Sequence, residues 1–270
     1  MTGAPSGWRE ELKARLAAAW VGKMLATTLG ISAFFIAYFW VLRNPQDALV
    51  TVPLTPLDLL IPVDPRALPL YFSLWVYVSI APALLRNGSE LVRFGLGTLV
   101  LSAIGLVIFL VWPTTTPDFG IDWSHYPSMA FLKTVDVSAN ACPSLHVAFA
   151  VFTGIWLDRL LREIGLGMTV RTVNLLWCLG ILYSTLAVRQ HVLLDVLAGA
   201  ALGALVALVH LETCRAPAGG ANASRFGARA RRTVDARFLA RARSLSATDP
   251  GVSAAAPSPK GRAAGPARRG

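Results

Sequence analysis

Apolar residues in this 270-residue chain come in long runs rather than in alternation or in narrow stripes. A helix that crosses a bilayer needs about 20 mostly apolar residues. Six segments are of that kind: 22–42, 68–85, 94–112, 143–163, 172–188 and 191–211. The first holds the uncharged run MLATTLGISAFFIAYFWVL (24–42), too long for a signal-peptide core. Glu10 and Glu11 also spoil the basic start of such a peptide, so the run reads as an anchor. The fourth segment is the weakest, because Asp158, Arg159 and Arg162 fall in its last turns. The sixth is apolar except for His191 and Asp195 at its beginning and His210 at its end. The pattern predicts an all-α polytopic membrane protein. A cytoplasmic N-terminal segment (1–21) leads into a six-transmembrane-helix bundle (22–211), and a tail (212–270) follows.

Basic residues orient the spans. One side receives Arg9, Lys13 and Arg15, then Arg86 and Arg93, then Arg159, Arg162, Arg171 and the tail. The other receives only Arg43, Arg66, Lys133 and Arg189, beside Asp47, Asp58, Asp64, Asp118, Asp122 and Asp136. Both termini are therefore expected in the cytoplasm, in an inner (plasma) membrane. The two long outer connections, 50–69 and 112–144, are rich in Pro, and the second mixes in Trp and Tyr, as suits the headgroup region.

Composition sharpens this picture. The chain is 54% hydrophobic and only 15% charged, with a mean hydropathy of +0.55. Soluble domains carry about a quarter charged residues, and disorder requires low hydrophobicity, so neither class fits the whole chain. Of the net charge of +10, +9 belongs to the tail: residues 212–270 hold 12 Lys+Arg against 3 Asp+Glu. The tail's Ala/Gly/Arg/Pro/Ser composition reads as disordered, and attraction to anionic lipid is expected of it rather than nucleic-acid binding. The three cysteines, Cys142, Cys178 and Cys214, show neither metal-ligand spacing nor a disulfide framework.

Polar groups inside spans are costly and want partners. In RQHVLLDVLAG, Asp195 follows His191 by four residues. On a helix the pair would stack, with the carboxylate accepting a hydrogen bond from one imidazole nitrogen. Gly199 and Gly203 continue the row, and small residues there let another helix approach. In ACPSLHVAFAVFTG (141–154), Pro143 suits a first helical position, Ser144 adds a hydroxyl, and His146 sits one turn further in. Both histidines are expected at similar depth near the outer surface, with Arg189 supplying a positive charge beside them. Two imidazoles, an Arg, a Ser and a helix N-terminus suit a phosphate group. They suffice for phosphoryl transfer in which one imidazole attacks phosphorus and the other protonates the leaving oxygen. Taken alone, the His–Asp pair is equally a structural hydrogen bond or part of a proton path. His125 reads as a surface residue, His210 as interfacial, and Lys23 as snorkelling to headgroups.

PSLH (143–146) together with YSTLAVRQHVLLDVLAG (183–199) resembles the second and third signature motifs of the type 2 phosphatidic acid phosphatase superfamily, Pro-Ser-x-x-His and Ser-Arg-x5-His-x3-Asp. The resemblance implies a metal-independent membrane enzyme without a cofactor, six-helical in its lipid-active branch. It implies His191 as the nucleophile that forms a phosphohistidine, Asp195 as its orienting carboxylate, His146 as the general acid and Ser144 as a phosphate-binding residue. Two features depart from the pattern. The third motif's Arg falls on Thr185, although Ser184 matches, and the first signature, Lys-x6-Arg-Pro, is missing from 68–142. A relaxed first motif with an intact His/His/Asp set is similar to the branch of inositol-phosphorylceramide synthases and sphingomyelin synthases. The spacing in VRQHVLLD and the LYFSLW and VPLTPLD contexts resemble its inositolphosphotransferase-like subgroup.

The expected partners are a phosphorylated lipid and the bilayer, with the active site facing the extracytoplasmic side. A transporter using the same polar residues would carry polar groups on several spans, and spans one, two, three and five have almost none. A scaffold would leave the buried His–Asp pair as an uncompensated cost. Metal-dependent CDP-alcohol phosphotransferases need an Asp-rich helix pair, which the chain lacks.

Overall fold

A computed structural model describes residues 7–135 and 140–214. Asp136 and the basic tail beyond 214 lie outside the described residues. The chain opens with α1 (Trp8–Ala17) and turns at Ala19 into α2 (Trp20–Arg43). The first long connection holds β1 (Val50–Thr51), α3 (Pro56–Leu60) and a 3₁₀ turn (Pro65–Ala67). After it come α4 (Leu68–Phe72), α5 (Leu74–Ala83) and α6 (Gly88–Val111). The second connection holds β2 (Thr114–Thr115), a 3₁₀ turn (Trp123–His125) and α7 (Pro127–Val135). Three long helices complete the fold: α8 (Leu145–Ile164), α9 (Met168–Ala187) and α10 (Leu193–Cys214).

Four of these helices, α2, α6, α9 and α10, are long and apolar enough to cross a membrane. The other two expected spans differ in form. Segment 68–85 is divided at Ser73 into the short α4 and α5. The Ser73 hydroxyl donates to the Leu70 carbonyl (2.6 Å) and accepts from Trp177 Nε1 (2.8 Å), which holds the junction in place. Helix α8 has the length, but its acidic and basic residues keep it out of the apolar set. Those charges are used locally: Arg171 and Arg162 pair with Asp158, and Arg159 with Glu163. Helix α6 starts at Gly88, ahead of the expected 94, because Asn87 caps it by accepting the Glu90 N–H (2.9 Å). A short parallel pairing of β1 with β2, not anticipated from the sequence, joins the two long connections.

Helix α8 forms the core. It packs most extensively on α10 and also contacts α9 and α5. Small residues set the α8–α10 distance: a Cβ on Gly199 would lie 2.3 Å from the Ser144 carbonyl oxygen, and one on Gly203 2.3 Å from that of Ala148. Polar pins join the other helices. Tyr77 on α5 donates to Asn174 Oδ1 on α9 (2.7 Å), and Asn174 Nδ2 donates to the Gly154 carbonyl on α8 (3.0 Å). In an apolar surrounding such groups must find protein partners.

Helix α1 is fastened to the same bundle by Arg15, which is only 2% exposed. Its guanidinium donates to Glu11, to Glu163 and to the Leu84 carbonyl just past α5. Lys23 does not snorkel. It is buried, and its ammonium donates to the carbonyls of Arg15 (2.5 Å) and Ala83 (3.1 Å). The reason is local: carbonyls at a helix C-terminus lack intrahelical partners, and a nearby cation satisfies them.

Candidate active site

The start of α8 is built around Ser144. Its hydroxyl oxygen accepts the Val147 N–H (3.3 Å), which makes Ser144 the N-cap and Leu145 the first helical residue. Pro143 therefore does not occupy the first helical position but precedes the cap, where it is buried. His146 lies in the first turn of α8. Its ring stacks on Tyr71 (centroids 4.1 Å apart, planes within 12°) and meets the edge of Trp75 at 6.2 Å. Its Nε2 sits 3.1 Å from the Tyr71 carbonyl oxygen. A carbonyl only accepts, so Nε2 carries the hydrogen and Nδ1 is the nitrogen left for chemistry.

His191 is not stacked above Asp195 on a helix. It lies in the turn between α9 and α10, and its N–H reaches the Thr185 carbonyl (3.3 Å). Asp195 lies in the first turn of α10, where its Oδ2 accepts the Val192 N–H (2.9 Å). A free amide at a helix start draws a carboxylate, and this competes with the imidazole. The carboxylate remains 3.6 Å from His191 Nδ1, and that nitrogen donates to the Ala141 carbonyl at 3.1 Å. Donation from Nδ1 leaves the lone pair on Nε2. Asp195 is fully buried, and its Oδ1 has no hydrogen-bond partner among the described residues.

A supporting frame holds this pair. Thr114, the β2 residue paired with Val50, accepts the Ala141 N–H with its carbonyl (3.1 Å) and the Cys142 N–H with its hydroxyl (2.7 Å). It thereby fixes the carbonyl that orients His191. Ser144 N–H donates to the Asp195 carbonyl (3.0 Å), so the two motif segments are bonded to each other directly. Burial, with the Asp195 charge adding to it, pushes the Cys142 thiol up to about 11, which keeps it neutral beside the site.

The first long connection contributes as much as either motif. Thr55 and Asp58 form a capping box on α3, and Asp58 Oδ1 also accepts the Leu193 N–H at the start of α10 (2.7 Å). Arg189, expected beside the phosphate, directs its guanidinium to the carbonyls of Asp58 (2.8 Å) and Ile61 (2.5 Å) and over the Phe119 ring (4.6 Å). His191 thus sits between two residues tied to the 58–61 segment. Thr185, standing where the motif has Arg, uses its carbonyl to receive the N–H groups of Gln190 and His191. Asp58, Tyr71 and Thr114 were not singled out by sequence. Asp58 and Tyr71 fall within the VPLTPLD and LYFSLW contexts, and Asp58 also carries the Thr-Pro-x-Asp pattern of a helix start, but neither pattern assigns a site role.

Both imidazoles line one cavity of about 1280 Å³, whose walls are otherwise mostly apolar. The remaining histidines lie elsewhere. His125 is exposed beside Asp122, and His210 Nε2 meets the Arg93 carbonyl at the opposite end of α10. Among the described residues no cluster of His, Cys, Asp and Glu has the makings of a metal site.

No curated protein and no solved structure matches the chain. Residues 90–215, which contain both histidines, Asp195 and the frame between α8 and α10, match the family model of the PAP2 superfamily, whose members are phosphatases and phosphotransferases.

Proposed function

We propose that the protein is a metal-independent lipid phosphatase or phosphotransferase working through a phosphohistidine on His191. The carrying observation is the shared cavity, in which each imidazole has one nitrogen bound to a backbone carbonyl and the other left over. His191 Nε2 attacks phosphorus, and the bond from phosphorus to the lipid or leaving-group oxygen breaks. His146, protonated on Nδ1, gives that oxygen its proton. Water then attacks the phosphoenzyme and returns a proton to His146, releasing phosphate. In the inositolphosphotransferase-type variant suggested by VRQHVLLD, an alcohol takes the place of water.

Asp195, 3.6 Å from Nδ1, stabilises the imidazolium and contracts toward it as charge develops. Ser144 and the free amides at the start of α8 receive phosphate oxygens. Arg189 acts on the site by holding the turn before His191 against the 58–61 segment, and Pro143 sets the entry to the Ser144 cap. We place the site at the extracytoplasmic leaflet of the plasma membrane. Six crossings (α2, α4 with α5, α6, α8, α9, α10) and cytoplasmic termini are supported by the basic residues on one side. On this reading 22–211 is the catalytic domain and 212–270 a tail that meets anionic lipid.

The test uses purified full-length protein in nanodiscs with lipid labelled at the phosphate. His191→Ala is expected to abolish turnover and acid-labile labelling of the protein. His146→Ala is expected to slow turnover by about 10²–10⁴. EDTA is expected to have no effect. Normal turnover by His191→Ala, or strict dependence on a divalent cation, overturns the proposal.

A further inference from the structure

Beside the two histidines the cavity wall carries a second polar pair. Tyr38 on α2 and Asn140, in the segment that leads into α8, line the same cavity as His146 and His191. Asn140 Nδ2 donates to the Tyr38 hydroxyl. Among the described residues no Lys, Arg, Asp or Glu lines the cavity. Neither member of the pair takes part in the Ser144 cap or in the bonds that orient the imidazoles.

Chain connectivity places the pair beside the nucleophile. Asn140 directly precedes Ala141, whose carbonyl accepts from His191 Nδ1 at 3.1 Å. Consecutive Cα atoms are about 3.8 Å apart, so the carboxamide starts one residue from the group that orients His191. The segment is held further along, because Ala141 N–H is bonded to Thr114 and Ser144 N–H to Asp195. Tyr38 is held from the other side. Its ring stacks on Phe34 (centroids 5.5 Å apart, planes within 28°) and meets Phe109 edge-on at 6.5 Å. Of the α2 residues beyond Ile31 that line the cavity, Tyr38 alone is polar. A hydroxyl in such surroundings is costly unless it is bonded, so its place at the histidine end calls for a polar task.

The donor and acceptor character of the pair points away from phosphate. Ionised phosphate oxygens only accept, whereas a carboxamide and a phenol both give and accept, as an alcohol does. When an alcohol resolves the phosphohistidine, its oxygen bonds to phosphorus and the bond from phosphorus to His191 Nε2 breaks. The electron pair returns to Nε2, and the alcohol proton passes to His146 Nδ1. The attacking hydroxyl has then spent its proton and one lone pair. Two groups that each give and accept are matched only by a further hydroxyl.

We infer that Tyr38 and Asn140 form the subsite for a polyhydroxy alcohol, holding the hydroxyl next to the one that attacks the phosphohistidine. This rests on the phosphohistidine proposed above, and it makes the protein a transferase wherever such an alcohol is supplied.

The experiment uses purified full-length protein in nanodiscs with phosphatidate labelled at the phosphate. Glycerol or myo-inositol is offered against an equal concentration of ethanol. Polyol phosphate, ethyl phosphate and inorganic phosphate then arise from one phosphoenzyme, so their ratios are independent of how much protein is folded and how fast the phosphoenzyme forms. The wild type is expected to favour at least one polyol over ethanol. Tyr38→Phe, which removes one oxygen, is expected to lower the polyol-to-ethanol ratio about 2- to 12-fold, the worth of one neutral hydrogen bond. Asn140→Leu, which removes a donor and an acceptor, is expected to lower it further. A pair that merely ties α2 to the segment before α8 would change total turnover and thermal unfolding and leave that ratio alone. An unchanged ratio in both variants, or a wild type that takes ethanol as readily as either polyol, overturns the inference while leaving the histidine chemistry standing. Turnover surviving in His191→Ala instead brings down the reading beneath it.

Discussion

The sharpest consequence of the α8–α10 contact concerns Gly199. An alanine there places its Cβ 2.3 Å from the Ser144 carbonyl oxygen, where ordinary contact begins at 3.4 Å. Backbone cannot swing aside as a side chain does, so the two helices must part by about 1 Å. Ser144 caps the helix that carries His146, and its N–H is bonded to the Asp195 carbonyl, so the parting falls on the site itself. A misplacement of about 1 Å in a catalytic geometry costs on the order of 10²-fold in rate. Overpacking costs about 1–3 kcal/mol, against which the better helix propensity of alanine returns up to about 1 kcal/mol. Gly199→Ala should therefore lose about two orders of magnitude in kcat and at most about 2 kcal/mol of stability. Gly203→Ala meets the Ala148 carbonyl at the same 2.3 Å but one turn further from the histidines, and should lose stability like Gly199→Ala with less loss of rate. Gly105→Ala also comes to 2.3 Å of a neighbour, but that neighbour is the Leu145 side chain, which can move. It should be the mildest of the three. Phosphate release and thermal unfolding in detergent read the series. Full activity in Gly199→Ala, or equal rate losses in all three, would refute the argument.

Three further outcomes follow from named contacts. Asp58→Ala strands the partly buried N–H of Leu193, an expected loss of about 1 kcal/mol by thermal unfolding, with kcat falling more than KM rises because the His191 turn loosens. Tyr71→Ala removes the ring stacked on His146, worth about 0.5–1.5 kcal/mol, and should slow turnover about 2- to 12-fold, with Tyr71→Phe restoring it. The hydrogen bond from Arg15 holds the Glu11 carboxyl below its ordinary value. A lowered folded value gives stability that is present above the ordinary carboxylate range and lost as pH falls through the folded value. Amide exchange in α1 should accordingly stay slow through that range and quicken only below it, and Glu11→Gln should remove the acid step.

The apolar runs were enough to locate α2, α6, α9 and α10 and to mark α8 as the charged exception, because a membrane span is written in contiguous composition. The pairing of PSLH with RQHVLLD was readable because the two motifs name particular side chains, and the fold brings His146 and His191 to one cavity. Gly199 and Gly203 were likewise legible as a place where another helix comes close, since only a missing side chain permits backbone contact, but that this helix is α8 was decided by the fold.

What tertiary structure decided is which polar atoms satisfy which. A cation near a span end can turn to headgroups or to carbonyls, and Lys23 took the carbonyls because the last turns of α1 and α5 come beside it. Arg189 was drawn to the Asp58 and Ile61 carbonyls, and His191 to Ala141, by segments far away in sequence. A residue type records what a side chain is able to bond. The partner is chosen by whichever unsatisfied group the fold brings within about 3 Å, and that is a property of the packed chain alone.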